Sequence, residues 1–121
     1  MALNRAQRIS GEIHALLSEL IRREVKDPRV GFVSITNVEV TNDLSLARVY
    51  VLPLGGDGDV EGMQKGLRKA SGFLRRLLGK RMRLRHIPEL RFIVDENHQQ
   101  AVELIRTLAE QAGAREPDGE E

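Results

Sequence analysis

The sequence contains no cysteine and no tryptophan, and only four of its 121 residues are aromatic. The absence of cysteine excludes disulfides, thiolate zinc sites and thiol nucleophiles, and it is typical of proteins from reducing compartments. No run of apolar residues approaches the roughly 18 that a membrane-spanning helix needs. The first ten residues also lack the uninterrupted apolar segment of a secretory signal. We therefore expect a cytoplasmic protein that does not attach to membranes.

The chain length is typical of a single domain that buries on the order of two thirds of its unfolded surface. We expect this domain to cover residues 1–113. The last residues, 114–121, are small, acidic and include a proline, so we expect a disordered acidic tail there.

The positive charges are concentrated in one segment. Between Gly62 and Pro88 the chain carries nine Lys or Arg and no Asp or Glu. Because the net charge of the whole chain is only +1, the remaining residues carry a net charge of −8. Such asymmetry predicts a surface that is strongly positive on one side.

A long first helix is predicted by apolar residues that recur every three or four positions from Ile9 to Val25. Asn4 can cap the start of this helix. We expect Asp27-Pro28 to end it, because the residue before a proline avoids the helical region.

A β-hairpin follows in the sequence. Phe32–Val40 and Leu46–Leu52 are rich in β-branched residues, and the turn-forming residues TNDLS lie between them. The apolar positions of the first strand do not keep one parity, which predicts a bulge near Asn37.

The second half of the chain has a helical period from Val60 to Met82, interrupted at Ala70-Ser71-Gly72. We expect two helices with a kink there, since an interior glycine costs about 1 kcal/mol relative to alanine. Glu89–Asp95 alternates as a third strand, and a last helix is expected from about Asn97 to Ala112. This order indicates an α+β domain, with a three-stranded sheet and helices packed largely on one face.

Most cations of the second half lie on the side of the helical pattern away from its leucines, whereas Arg81 lies nearer the leucine side. Folding the leucines inward therefore turns the cations outward, and a solvated face would normally mix both signs of charge. Membrane or calmodulin binding would need those leucines to be free. Leaving two of them unburied would cost roughly 3 to 6 kcal/mol, which is comparable with the stability of a whole domain. A polyanion is the better partner.

Structured RNA is the polyanion that fits best. No recognition helix with base-reading polar residues is evident, which argues against sequence-specific DNA binding. Most of the four aromatic residues are expected in the core, which argues against a platform of stacked bases. The GxxG sequence at Gly55–Gly58 follows a strand and is acidic, so it does not match an RNA-clamping loop between two helices.

No catalytic or metal site is predicted. His14, His86 and His98 are far apart in the sequence and lack ligand spacing, and Ser71 has no identifiable base. We expect no enzyme activity, no cofactor and no metal. Two alternatives remain open: a protein-interaction module whose basic side meets an acidic partner, and a hydrolase or nuclease that uses scattered carboxylates.

Three stretches together resemble the ribosome-binding factor A family of bacterial small-subunit assembly factors. They are REVKDPRVGFVSIT, ITNVEVTNDLSLARVYVLPLG and ASGFLRRLLGKRMRLRHIPELRFIVDE, and the likeness covers residues 4 to 112. It implies a type II K-homology fold in which an Ala-x-Gly kink, here Ala70-Ser71-Gly72, replaces GxxG. It also implies binding to the free small (30S) subunit and 16S ribosomal RNA, help in maturing the RNA 5′ end, a role in cold adaptation, and release by an assembly GTPase.

The predicted function is thus that of a non-catalytic, monomeric RNA-binding factor. Its cations would lie along ribosomal RNA phosphates on both sides of the kink. The candidate RNA-binding residues are Lys65, Arg68, Lys69, Ala70, Ser71, Gly72, Arg75, Arg76, Lys80, Arg81, Arg83 and Arg85.

Overall fold

A computed structural model of the protein describes residues 4–54, 59–96 and 104–111. Within them the chain forms two long helices and three strands, and residues 104–111 form a further helical segment. The elements, in chain order, are α1 (Arg5–Glu24), β1 (Val33–Val40), β2 (Leu46–Pro53), α2 (Val60–Arg81) and β3 (Glu89–Val94). The predicted α+β class is confirmed.

Helix α1 begins where the sequence predicts, because Asn4 and Gln7 form a capping box. The Gln7 backbone N–H donates to Asn4 Oδ1 at 2.8 Å, and the Asn4 N–H donates to Gln7 Oε1 at 3.1 Å. The helix ends earlier than predicted, since Val25 is already extended. The turn that follows contains Pro28 and is closed by Val30 N–H donating to the Asp27 carbonyl at 3.0 Å.

The sheet has the order β1-β2-β3, with β1 antiparallel and β3 parallel to β2. The pairing register shifts between Ile35 and Asn37, which confirms the predicted bulge. The extra residue, Thr36, donates its hydroxyl to Asp95 Oδ2 at 2.5 Å, beyond the end of β3. Because of the bulge, Ile35 and Val38 are both buried although three positions separate them.

The core lies between the two long helices and one face of the sheet. In β2 the buried residues alternate with half-buried ones such as Arg48 and Tyr50, so the second face of the sheet is not covered by α1 or α2. The buried side chains of the core include Ile13, Leu17, Ile35, Val38, Val49, Val51, Met63, Leu67, Leu74, Leu78, Leu90 and Phe92.

Helix α2 is continuous from Val60 to Arg81, so the predicted division into two helices at Ala70-Ser71-Gly72 is wrong at the level of secondary structure. The cost of one interior glycine is about 1 kcal/mol. Buried residues on both sides of it, Leu67 and Leu74, together contribute more than that to holding the helix against the sheet. A bend of the helix axis at this point stays a prediction.

The predicted last helix is only partly within the described residues. Residues 104–111 are helical, whereas 97–103 and 112 lie outside the described ranges. Leu104, Ile105 and Leu108 are all more than half exposed, so this segment does not extend the core. The expected acidic tail and the Gly55–Gly58 loop lie outside the described residues, and the domain boundary at 113 stays a prediction.

Helix α2 packs closely against the turn after α1 at Gly66. A Cβ atom there would lie 2.8 Å from Val30 Cγ2 and 3.2 Å from Asp27 Oδ2. Val30 is buried and β-branched, so it cannot move away cheaply. At Gly72, in contrast, a Cβ atom would meet nothing within 4 Å.

We expect opposite effects from alanine at these two glycines. Gly66→Ala should lower the free energy of unfolding by about 1 to 2 kcal/mol, because overpacking outweighs the better helix propensity of alanine. Gly72→Ala should raise it by up to about 1 kcal/mol, because only the propensity changes. Urea unfolding of both variants measures this. Equal effects at the two positions would contradict the close approach at Gly66.

The same turn contains a carboxylate with a low pKa. Asp27 accepts hydrogen bonds from Arg29 Nη2 at 2.7 Å, from Arg29 Nε at 3.1 Å and from the Arg29 backbone N–H at 2.9 Å. These bonds, assisted by the charges of Arg29 and Lys69, lower the pKa of Asp27 from its usual 3.8 to about 2.

Folding should therefore weaken in acid through Asp27. The pKa is lower in the folded chain than in the unfolded chain, so the contribution is complete above pH 3.8 and is lost as the pH falls through about 2. Asp27→Asn should flatten the stability curve in this window, measured by urea unfolding between pH 7 and pH 2. If the stability of Asp27→Asn falls in acid as steeply as that of the wild type, Asp27 does not have this low pKa in the folded chain.

Candidate nucleic-acid interface

The rotation of α2 about its axis is set by its buried side chains. Met63, Leu67, Leu74 and Leu78 are almost completely excluded from solvent, and they lie along one stripe of the helix. The cations of α2 and of the connection to β3 are all exposed. We call this set the basic face; it comprises Lys65, Arg68, Lys69, Arg75, Arg76, Lys80, Arg81, Arg83 and Arg85.

The cations of the basic face are not neutralised by carboxylates of the described residues. The ion pairs among the described residues are Arg23 with Glu19, Arg29 with Asp27, and Arg91 with Glu89. None of these residues belongs to the basic face. Lys69 lies close enough to the Arg29–Asp27 pair for its charge to contribute to the low pKa of Asp27. The face therefore presents charge of one sign to solvent, as the sequence predicts.

Arg75 differs from the other cations because it also holds the structure together. Its Nη2 donates to the Ile87 carbonyl at 2.7 Å, and its Nε donates to the Pro88 carbonyl at 3.1 Å. Both acceptors come directly before β3. Arg75 thus ties the start of β3 to α2, a role that the residue pattern did not reveal.

The three residues of the expected kink are not equally available to a ligand. Ala70 and Ser71 are half-buried, and the Ser71 hydroxyl donates to the Arg68 carbonyl at 2.8 Å. Gly72 is exposed and has open space where a side chain would be. Only Gly72 therefore offers free backbone surface for close approach of a phosphate.

A groove of about 480 Å³ runs between α2 and the outer edge of β3. Gln64 lines it and donates its Nε2 to the Phe92 carbonyl at 2.8 Å, so α2 contacts the strand edge directly. Sequence reasoning missed Gln64. Its position four residues before Arg68 on the same side of the helix was the available signal. The groove is lined by Gln64, Arg68, Ser71, Gly72 and Arg75 of α2 and by Glu89, Leu90, Arg91, Phe92 and Ile93 of β3.

The aromatic residues are less buried than the sequence predicts. Phe92 is in the core and Tyr50 is half-buried, but Phe32 is 75% exposed and Phe73 is 37% exposed. Phe73 lies on α2, with the Arg76 guanidinium carbon 5.8 Å from the centre of its ring. Phe32 and exposed Leu54 both line a cleft beside α1.

His14 has a structural partner, and the described residues contain neither a cluster of metal ligands nor a membrane-spanning helix. His14 Nε2 lies 3.0 Å from the Ile35 carbonyl oxygen, so this ring nitrogen has a partner within the domain. No group of three or more possible metal ligands occurs among residues 4–54, 59–96 and 104–111. None of the helices in these ranges is long and apolar enough to cross a membrane.

The family model for ribosome-binding factor A matches residues 5–108 of the chain. The chain belongs to the ribosome-binding factor A family. The ribosome-binding factor A of Staphylococcus epidermidis is 46% identical over 106 residues, which cover 88% of this chain and 91% of the relative. The match includes α2 and the whole basic face.

Solved structures of ribosome-binding factor A share the fold. The crystal structure from Thermus thermophilus matches with a TM-score of 0.66 and 27% identity, over 74% of this chain and 93% of that chain. A Thermus thermophilus homology model fitted into a cryo-EM map of a 30S complex matches with a TM-score of 0.59 and 28% identity, over 69% and 88% of the two chains. The K-homology-like fold expected for ribosome-binding factor A is consistent with the observed order of elements.

Arg75 and Arg76 form a matched pair for separating stability from charge. Arg75→Gln should lower the free energy of unfolding by about 1 to 3 kcal/mol, because two hydrogen bonds to carbonyls before β3 are lost. Arg76→Gln removes the same charge without these bonds and loses only the contact with the Phe73 ring, so it should lower stability by less than about 1 kcal/mol. Thermal and urea unfolding measure both. Equal stabilities would exclude the structural role of Arg75.

Proposed function

We propose that this protein is a non-catalytic assembly factor that binds the free small ribosomal subunit and its 16S ribosomal RNA. The observation that carries the proposal is the basic face: nine exposed cations, seven of them on α2 and two in the connection to β3, beside a helix stripe that is buried in the core. Cations that are not paired within the domain are free to contact phosphates. The relative placed in a 30S map supports the small subunit as the partner.

The finer parts of the proposal come from the family resemblance. We propose that the factor acts in the cytoplasm during late maturation of the subunit, assists processing of the 16S RNA 5′ end, supports growth in the cold, and leaves through an assembly GTPase. Binding as a monomer is part of the same proposal. All of these steps depend on RNA contact through the basic face.

Binding through phosphates should depend steeply on salt. Each phosphate neutralised by a Lys or Arg releases a counterion, so six contacts predict a slope of log K against log salt of about −4 to −5. Lys65, Arg76 and Lys80 are the best residues to change. They are exposed, and among the described residues no hydrogen bond or ion pair of theirs is found.

We expect the variant Lys65→Glu/Arg76→Glu/Lys80→Glu to bind small subunits weakly and with a slope about 2 to 3 less steep. The control variant Arg5→Glu/Arg8→Glu/Arg22→Glu makes the same charge change on exposed positions of α1, and it should retain most of the affinity and slope. Co-sedimentation over a salt series measures both. Equal loss in the two variants would mean that net charge, and not the basic face, determines binding.

Ribonuclease treatment of the subunits distinguishes the acidic-protein alternative. Binding that survives removal of the RNA would mean that the basic face contacts a protein partner. Cleavage of RNA that depends on Mg²⁺ or Mn²⁺ would instead support the nuclease alternative.

A further inference from the structure

Phe73 is the only aromatic residue of α2, and it does not belong to the core. The core side of the helix is already filled by Met63, Leu67, Leu74 and Leu78. Phe73 is 37% exposed and does not belong to the buried core cluster. Burial in the core alone therefore does not explain why a large ring with a solvent-facing part occupies this position.

The surroundings of the ring are cationic. Lys69, Arg76 and Lys80 lie four residues before, three after and seven after Phe73, so helical geometry places them on the same side. The Arg76 guanidinium lies over the ring, with its carbon 5.8 Å from the ring centre. An apolar protein side chain docking here would have to displace water from these charges, which opposes such contacts.

A nucleotide can contact both the aromatic ring and the cations of this surface. Its planar base can stack on an aromatic ring or on a guanidinium plane, while its phosphates meet the neighbouring cations. The backbone next to the ring is also accessible, because a Cβ atom at Gly72 would meet nothing within 4 Å. Duplex phosphates alone would use the cations and leave the ring unused.

We infer that Phe73 and Arg76 form a stacking site for one unpaired nucleobase. The inference rests on the proposed function and names the kind of RNA that the basic face takes. It is an RNA with a base free of pairing beside a phosphate-rich stretch, such as a bulge, a junction or a strand end. Lys69 and Lys80 bind the phosphates that flank this base.

Two hairpin RNAs that differ only by one bulged 2-aminopurine nucleotide test the inference. The fluorescence of 2-aminopurine falls when the base stacks, so it reports the site directly. The wild-type protein should bind the bulged RNA roughly 5- to 150-fold more tightly than the continuous hairpin, and should quench the fluorescence.

The variant Phe73→Leu should lose this preference and the quenching, while binding the continuous hairpin as the wild type does. Phe73→Tyr keeps a ring and should retain both. The control variant Phe32→Leu removes the ring of a more exposed phenylalanine outside α2, and it should change neither the preference nor the quenching. Because Phe73 lies outside the core cluster, Phe73→Leu should remain fully folded at the temperature of the binding experiment, which its thermal unfolding midpoint checks.

The outcomes separate the inference from the proposed function. Unchanged preference and quenching in Phe73→Leu, or no preference in the wild type, would overturn the stacking site even if charge reversal of the basic face still abolishes binding. Unchanged binding of both RNAs after charge reversal would overturn the proposed function itself.

Discussion

The burial of one stripe of α2 is the constraint on which the rest of the molecule depends. Each fully buried Leu or Met contributes about 1.5 to 3 kcal/mol, and four such residues lie along this stripe. Like-charged neighbours on a helix surface cost only a few tenths of a kcal/mol per pair, and salt screens them further. Hydrophobic burial therefore decides how the helix is rotated, and the cations take the only side that remains.

Side chains of the two long helices also contact the two outer strands of the sheet. From α1, Ser10 Oγ accepts from the Val40 N–H at 3.1 Å. From α2, Gln64 donates to Phe92, and Arg75 donates to the residues just before β3. Backbone groups at a sheet edge otherwise lack partners and invite pairing with other chains. These contacts hold each helix beside one edge, and on the α2 side they position the groove next to the basic face.

Much of this fold was predictable because it follows from local patterns. Short stretches of sequence are enough to predict the Asn4 cap, the hairpin, the bulge near Asn37 and the third strand. The end of α1 and the continuity of α2 were not predictable in this way. The continuity of α2 depends on packing against distant residues on both sides of Gly72, and α1 ends at Glu24 although its apolar period continues to Val25.

In the candidate site, too, only the features that follow from a local sequence pattern were predictable. The exposure of the cations follows from the periodicity of the leucines, so the sequence was enough. The anchoring role of Arg75 and the contact of Gln64 with Phe92 depend on where β3 lies beside α2, which periodicity does not report. The exposure of Phe73 was missed for a related reason: apolar character predicts burial only until the core positions of a helix are filled.

The bulged residue Thr36 has a mechanical consequence for the end of the sheet. Its hydroxyl bonds Asp95 across the whole width of β2, so the first strand is joined to the point where the last strand ends. Tension applied to the chain after Asp95 is thus transmitted to β1 as well as to β2. The third strand therefore resists peeling as part of a three-strand unit, even though it has only one neighbour in the sheet.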